Sequence, residues 1–563
     1  MTEPPTPTRP AAGDAPRAPS GHLDTFCRDS LPPRELWPRL LCDGVPELAY
    51  PPRLNCAAAL LDPRLAAGDG ERTAILFPGG RWSYRELAET VDRIARVLVE
   101  DLGLVPGNRV LLRAANTPLL AACWLAVAKA GGVAVCTMPM LRRRELAYIA
   151  DKAQIRLALT DPRLAAECAA AMQTSGSGAP RAGARVVRFD ELQERLPGKP
   201  AGFPPCDTAA DDVAAILFTS GTTGKAKGTL HFHRDVLAVT DCFPRYVLKP
   251  TADDVFSGSP SLAFAYGLGG LLLFPLRFGA AVLLLEQTTP AQLLQGIEDH
   301  RATICFTVPT AYRAMSGLAH GYDLSSLRRC ISAGETLPAP TFEAFRRATG
   351  LRIIDGIGST EMLHQFISAA DDDIRPGSTG KVVPGYRAKV VDESGAEVPP
   401  GVIGRLAVCG PTGCRYLADP ERQKEYVQDG WNLTGDAYRL DADGYFWYQA
   451  RTDDLIVSAG HKIGAPEVES VLLDHPKVKE CGVVGVPDAE RGHVVKAFVV
   501  LNPEAAAGEA TARELQEFVK AQIAPYKYPR AIEFVASLPR TETGKVQRFR
   551  LREMELQRTA GLG

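Results

Sequence analysis

Between about residues 55 and 450, short apolar runs alternate with longer segments whose apolar residues recur at helical spacing. That alternation limits the chain to parallel sheets covered by helices, an α/β layered fold. ELAETVDRIARVLVEDLG (86–103) reads as an amphipathic helix stopped by Gly103, and NRVLLRA and GVAVCTM read as short strands flanking the apolar helix LAACWLAVAKAG. The pattern returns as AAVLLLE, AQLLQGIEDH and ATICFTV. The most apolar stretch, GLGGLLLFPLRFGAAVLLLE (267–286), is broken by Pro275 and Arg277, and it reads as a strand–helix–strand core rather than a membrane span. Near residue 450 the character changes. RTDDLIVSAG leads into a helix (APEVESVLLDH), two strands (ECGVVGVP, KAFVVLN) and a second helix (ARELQEFVKAQI). Residues 453–563 are therefore expected to form a small α+β domain on a short hinge, after a large domain spanning 21–452.

Composition sets the outer bounds. A chain of 563 residues holds two or more domains with ample apolar content for a core. A formal net charge of −2 gives no electrostatic case for a nucleic-acid or membrane partner. The thirteen cysteines include no CxxC pair and the nine histidines no HExxH spacing, so reduced core thiols, a cytoplasmic setting and no zinc site are expected. The Pro-, Ala- and Gly-rich residues 1–20 lack the apolar core of a signal peptide and read as a disordered tail. TSGSGAPRAGA (174–184) reads as an exposed loop.

The chemistry is concentrated in LFTSGTTGKAKG (217–228), directly after the buried strand AAILF. Thr219, Ser220, Thr222 and Thr223 offer hydroxyls, Gly221, Gly224 and Gly228 allow close backbone approach, and Lys225 and Lys227 supply charge. Such a loop suits a polyphosphate. It is not a P-loop: Gly-x4-Gly-Lys-Ser/Thr would need glycine at Thr219 and a hydroxyl residue at Ala226.

Four further motifs follow in order: SAGETL (332–337), DGIGSTE (355–361), TGD (434–436) with ARTDDLIVSAGHKIG (450–464), and PRTETGKVQR (539–548). With these, residues 55–550 resemble the adenylate-forming superfamily of acyl-CoA synthetases, luciferases and adenylation domains. FAYGLG (264–269) and DGIGSTEMLH (355–364) are similar to benzoate-CoA ligases. DTFCRDSLPPRELWP with RLNCAAALLD is most similar to 2-aminobenzoate-CoA ligase.

The resemblance implies ATP, Mg²⁺ and coenzyme A as reactants and an aromatic acid as substrate, joined to CoA through an acyl-adenylate with release of AMP and pyrophosphate. Bringing a carboxylate to a triphosphate sets anion against anion, so cations and oriented dipoles have to cancel the repulsion. The resemblance assigns the parts. Thr219 to Lys225 and Lys227 would wrap the β- and γ-phosphates. Glu361 would hold Mg²⁺, and Thr360 would sit by the α-phosphate. Gly334 and Glu335 would border the adenine with Ile357 at the stacking position, Asp355 and Gly356 would also belong to the ATP site, and Asp436 with Arg451 would take the ribose. Lys545 would bridge the acid and the α-phosphate. Phe264, Ala265, Tyr266, Gly267, Gly358 and His364 would wall the acyl pocket. Asp453 would be the hinge, and Ala459, Gly460 and His461 would form the CoA tunnel after the small domain rotates.

The chain departs from the family pattern at three places: Ala226 stands where many relatives have proline, Ile357 where many have an adenine-stacking tyrosine, and Ala459 where the tunnel loop is often glycine or serine. Two other functions share the motifs: a stand-alone adenylation enzyme loading a carrier protein, and a nucleotide-binding regulatory protein without catalysis. No carrier domain is evident; Asp29-Ser30-Leu31 is followed at once by Pro32-Pro33. Oligomeric state is not legible.

Overall fold

The computed structural model describes residues 19–42, 44–173, 181, 183–219, 226–458, 461–488, 491–540 and 546–560. Two parallel-cored sheets carry most of the large domain. In the first, the strands lie in the order Arg185–Arg188, Leu157–Thr160, Arg109–Arg113, Val133–Thr137, Val213–Thr219, Lys227–Phe232. All neighbours are parallel except the last two, which form an antiparallel hairpin. In the second, six parallel strands run Ile353–Gly358, Arg329–Ser332, Ile304–Thr307, Val255–Gly258, Ala281–Leu283, Thr73–Phe77, with antiparallel strands at both edges.

The helices follow the sequence pattern for physical reasons. Tyr84–Arg96 starts at a reciprocal cap in which the Glu86 N–H donates to the Ser83 hydroxyl (3.1 Å) and the Ser83 N–H to the Glu86 carboxylate (2.7 Å). It widens into a π turn at Val97–Asp101 before Gly103 takes a left-handed φ of 70°. Pro118–Lys129 is apolar all round and accordingly buried along nearly its whole length.

Two expectations are corrected. GLGGLLLFPLRF contains no strand: Ala265–Leu268, Gly269–Leu273 and Phe274–Phe278 form one helical run, and only Ala281–Leu283 is extended. Pro275 comes just after the π turn Gly269–Leu273, and the helical run continues through it to Phe278. The helix–strand alternation also stops well before residue 450. Arg387–Val391, Ile403–Cys409, Val427–Gln428, Trp431–Leu440 and Phe446–Arg451 form an antiparallel five-stranded sheet. Turns with left-handed glycines at Gly395, Gly401, Gly430 and Gly444 make three of the four connections, and the helix Pro420–Tyr426 lies in the fourth.

Beyond residue 455, Ile456–Ser458, His461–Ile463, Val478–Asp488, Gly492–Leu501 and Ala531–Phe534 make a sheet packed by helices Ala465–Asp474 and Glu509–Gln522. Its own core includes Ile456, Val468, Leu472, Val483, Val495, Leu515 and Val519. The fold is thus a large α/β domain of layered sheets and helices followed by a smaller α+β one. Residues 1–18 of the expected tail, and most of 174–184, lie outside the described residues; Ser20 donates to the Asp212 carboxylate at 2.5 Å. No described helix is long and apolar enough to cross a membrane.

Candidate active site

The C-terminal ends of parallel strands are where an open α/β sheet leaves room for a ligand. Three strand ends within a run of four neighbours of the second sheet carry the predicted residues. Gly334 and Glu335 follow Arg329–Ser332, and Gly334 takes a left-handed φ of 89°. Asp355, Gly356, Ile357 and Gly358 close the strand Ile353–Gly358. Phe264, Ala265, Tyr266 and Gly267 open the helical run that follows Val255–Gly258.

Asp355 lies in register with Ser332 on the adjoining strand, and burial pushes its carboxyl up to about 8. Added side-chain atoms at Gly358 would meet the His364 backbone at 2.7 Å, and at Gly267 the Ser261 carbonyl oxygen at 2.1 Å. Both glycines therefore permit close chain crossings at the edge of the proposed pocket.

After Gly358 the chain makes a tight turn. The Met362 N–H donates to the Ser359 hydroxyl (3.2 Å), the Leu363 N–H to the Thr360 carbonyl (3.1 Å), and Leu363 adopts a left-handed φ of 67°. Glu361 leaves this turn on the polar side. Its Oε1 accepts a 2.6 Å hydrogen bond from the Tyr416 hydroxyl. Lys227, first residue of the hairpin's second strand and paired with Thr219, places its ammonium 5.6 Å from the Tyr416 ring centre. Burial lowers the Lys227 pKa, and the Glu361 carboxylate opposes that shift. Burial and then Glu361 raise the Tyr416 phenol far above its ordinary range, so it remains a donor.

His364 leaves the same turn on the apolar side. It is 3% exposed and ringed by Phe274 (4.5 Å between ring centres), Phe243 (5.5 Å), Tyr266 (5.9 Å) and Phe306 (6.4 Å). Neither ring nitrogen has a hydrogen-bond partner among the described residues. The Tyr266 backbone carbonyl approaches the ring without hydrogen-bond geometry. Burial lowers the His364 pKa to about 3, so the ring is neutral. The Tyr266 hydroxyl is directed at the Ile331 and Thr307 carbonyls (2.9 and 3.1 Å), which leaves its ring, not its O–H, to meet a ligand.

The antiparallel sheet contributes the fourth motif. Asp436 and Arg451 are cross-strand partners, and Arg451 Nη1 donates to Asp436 Oδ1 and to the Thr434 carbonyl, each at 3.0 Å. Asp453 lies in the helical turn Thr452–Asp454. On one side of it the Thr452 hydroxyl donates to the Gly435 carbonyl (3.1 Å); on the other Asp454 is ion-paired with Arg552 of the last helix. His461 begins the strand His461–Ile463. Ser220, Gly221, Thr222, Thr223, Gly224 and Lys225, then Ala459 and Gly460, then Lys545 lie outside the described residues. The loop's flanks are strands on both sides, so no helix follows the glycines as it would in a P-loop.

Sequence reasoning did not find Tyr416, Phe243, Phe274 or Phe306. None sits in a glycine-rich motif, and Tyr416 lies 55 residues from the carboxylate it touches. Chain spacing carries no signal for such a pairing.

The side chains that the motifs and their surroundings provide are the Glu361 carboxylate, the Lys227 ammonium, the Asp436–Arg451 pair and the aromatic rings around His364. The model of the AMP-binding enzyme family matches residues 63–416, and that of the AMP-binding enzyme C-terminal domain matches 467–545. The chain belongs to this family, and by class it is an AMP-forming acid–thiol ligase. It is 37% identical over 512 residues to a benzoate–CoA ligase of Thauera aromatica, spanning 90% of this chain and 97% of that one. It is 34% identical over 489 residues to the mitochondrial acyl-coenzyme A synthetase ACSM3 of Mus musculus, covering 84% of each. Among solved structures, the anthranilate CoA ligase AuaEII in complex with anthranoyl-AMP superposes with a TM-score of 0.83 at 32% identity, over 90% of this chain and 98% of that one.

Proposed function

We propose that this chain joins an aromatic carboxylic acid, of the benzoate or 2-aminobenzoate type, to coenzyme A through an acyl-adenylate. The observation that carries the reading is the aromatic cage around His364, one tight turn away from Glu361. A flat ring would stack on Tyr266, the one ring of the cluster that is not fully buried, and its carboxylate would then face the charged side of the turn. The likeness to a benzoate–CoA ligase and to an anthranilate CoA ligase supports the same acid class.

The roles are those that the family resemblance implies, and the charges of the residues agree with them. The loop from Thr219 to Lys225 and Lys227 cradles the β- and γ-phosphates. Asp436, steadied by Arg451, takes the ribose hydroxyls. Gly334 and Glu335 border the adenine with Ile357 at the stacking position, Asp355 and Gly356 also belong to the ATP site, and Thr360 meets the α-phosphate. No cluster of three His, Cys, Asp or Glu suited to a metal exists among the described residues. A lone carboxylate with one oxygen already hydrogen-bonded fits Mg²⁺, which keeps most of its waters and takes one or two carboxylates plus phosphate oxygens. Glu361 would hold it, and bound Mg²⁺ supplies neutralising charge between the phosphates. Lys545 brings the acid and the α-phosphate together in the first half-reaction. Rotation about Asp453 then withdraws it and presents Ala459, Gly460 and His461 to the thiol of CoA.

The test is a panel of aromatic and aliphatic acids assayed for ATP–pyrophosphate exchange and for acyl-CoA release. Exchange and acyl-CoA formation are expected with benzoate or 2-aminobenzoate. Exchange without acyl-CoA would indicate carrier loading, and no exchange with any acid would indicate a nucleotide-binding protein without catalysis. Lys545→Ala is expected to abolish exchange yet spare thioester formation from supplied acyl-AMP; equal loss of both would remove its assigned role.

A further inference from the structure

We infer that Tyr416 is a positioning residue for Glu361: its hydroxyl holds Oε1 and leaves Oε2 open for the Mg²⁺ that Glu361 would hold. The inference rests on the reading of Glu361 given above and adds a residue outside every motif of the sequence. Tyr416 Oη lies 2.6 Å from Glu361 Oε1, and Oε2 accepts no hydrogen bond from any described residue. A glutamate has three side-chain torsions to fix, and one short bond to a buried donor selects among them.

The donor itself has little freedom. The Tyr416 N–H donates to Gln423 Oε1 (2.9 Å), and residues on both sides are sewn to the hairpin strand: the Leu230 N–H donates to the Arg415 carbonyl and the Leu417 N–H to the Gly228 carbonyl, both at 2.8 Å. Tyr416 also bridges to Thr229, and its ring meets Tyr426 edge-on at 5.7 Å. Arg415 anchors the segment from below. Its Nη1 donates to Asp235 Oδ2 at 2.8 Å, both side chains are fully buried, and the guanidinium lies 4.1 Å from the Phe232 ring centre. The Tyr416 hydroxyl therefore reaches Glu361 from a frame that is continuous with the strand bearing Lys227.

Partners of this kind behind a metal ligand are worth about 10–100-fold in metal affinity. The test is Tyr416→Phe, which keeps the ring and removes only the O–H. Binding of Mn²⁺ with a non-hydrolysable ATP analogue would be titrated by electron paramagnetic resonance, alongside the thermal midpoint. Mn²⁺ binding is expected to weaken about 10–100-fold, with the midpoint shifting by only a few degrees. Tyr416→Gln, which restores an N–H donor, is expected to recover part of the loss and serves as the comparison if the phenylalanine variant does not fold. Glu361→Gln separates the two levels of the argument. If Glu361→Gln leaves Mn²⁺ affinity intact, the reading of Glu361 is wrong. If Glu361→Gln weakens it while Tyr416→Phe does not, the positioning role of Tyr416 is overturned.

Discussion

Glu361 and His364 lie within one turn of chain, and they end in opposite environments. The carboxylate accepts a hydrogen bond from a phenol and lies in the field of the Lys227 ammonium, each a complement to its charge. The imidazole is enclosed by four aromatic rings, and neither nitrogen is satisfied within the described structure. Leu363, in a left-handed conformation that costs a leucine about 1 kcal/mol or more, is the corner that separates them. Among the described residues, one side of the corner holds its carboxylate by one oxygen and leaves the other open, and the other side is filled in volume but not in hydrogen bonds. The first is suited to chemistry common to every acid, the second to choosing among acids.

The largest expected effect tests the common side. Glu361→Gln should lower the rate of pyrophosphate exchange about 10²–10³-fold, by the same factor for benzoate and 2-aminobenzoate. A change in the ratio of the two acids, with the overall rate preserved, would break the division between the sides.

Acid titration of the native state comes next. His231, His233 and His364 are buried with pKa values lowered to about 4, about 3 and about 3. Below pH 6.5 the unfolded chain takes up protons that these native rings refuse, so stability falls as pH falls. Asp355, raised to about 8, works the other way, because its native carboxyl is already protonated where the unfolded one is not. Each group contributes about 1.4 kcal/mol per pH unit at full effect. Three against one leaves a net loss from these groups of about 2 kcal/mol between pH 6 and 5. Urea unfolding at the two pH values measures it, and in His364→Leu the slope should be shallower by one group's share.

The same His364→Leu variant sharpens the apolar side. Removing two unpartnered buried nitrogens is expected to leave stability at pH 7.5 unchanged or raise it by about 1 kcal/mol. The ratio of kcat/KM for 2-aminobenzoate over benzoate is expected to change several-fold. An unchanged ratio would reduce His364 to packing. The smallest effect belongs to Tyr266→Phe. Its hydroxyl serves backbone carbonyls, so about 1 kcal/mol of stability is expected to be lost, with the acid ratio unaltered in the same assay.

Much of the architecture is legible in the sequence because hydrophobic period and crossover length are local signals: the run AAILF places a strand without reference to anything distant. The antiparallel sheet from Arg387 to Arg451 is not announced in that way, because its strands are defined by turns and by cross-strand partners. Helix in GLGGLLLFPLRF is hidden for a different reason. A run buried on all faces has no periodicity to distinguish helix from strand. In the site, the residues on motifs could be named, but their surroundings could not. The rings of Phe243, Phe274 and Phe306 come from three separate elements, and nothing along the chain indicates that they meet around His364.

The salt bridge between Arg415 and Asp235 has a consequence for descent. Replacing Asp235 alone would strand the Arg415 guanidinium in a dry interior, at a cost of about 3–5 kcal/mol, and replacing Arg415 alone would leave Asp235 with only Arg234, at 4.0 Å, as a cationic partner among the described residues, whereas exchanging both Arg415 and Asp235 for apolar residues of similar size is expected to cost less. Ancestors and descendants of this chain are therefore expected to be charged at both positions or at neither, and a lineage crossing between those states would need reserve stability gained elsewhere beforehand.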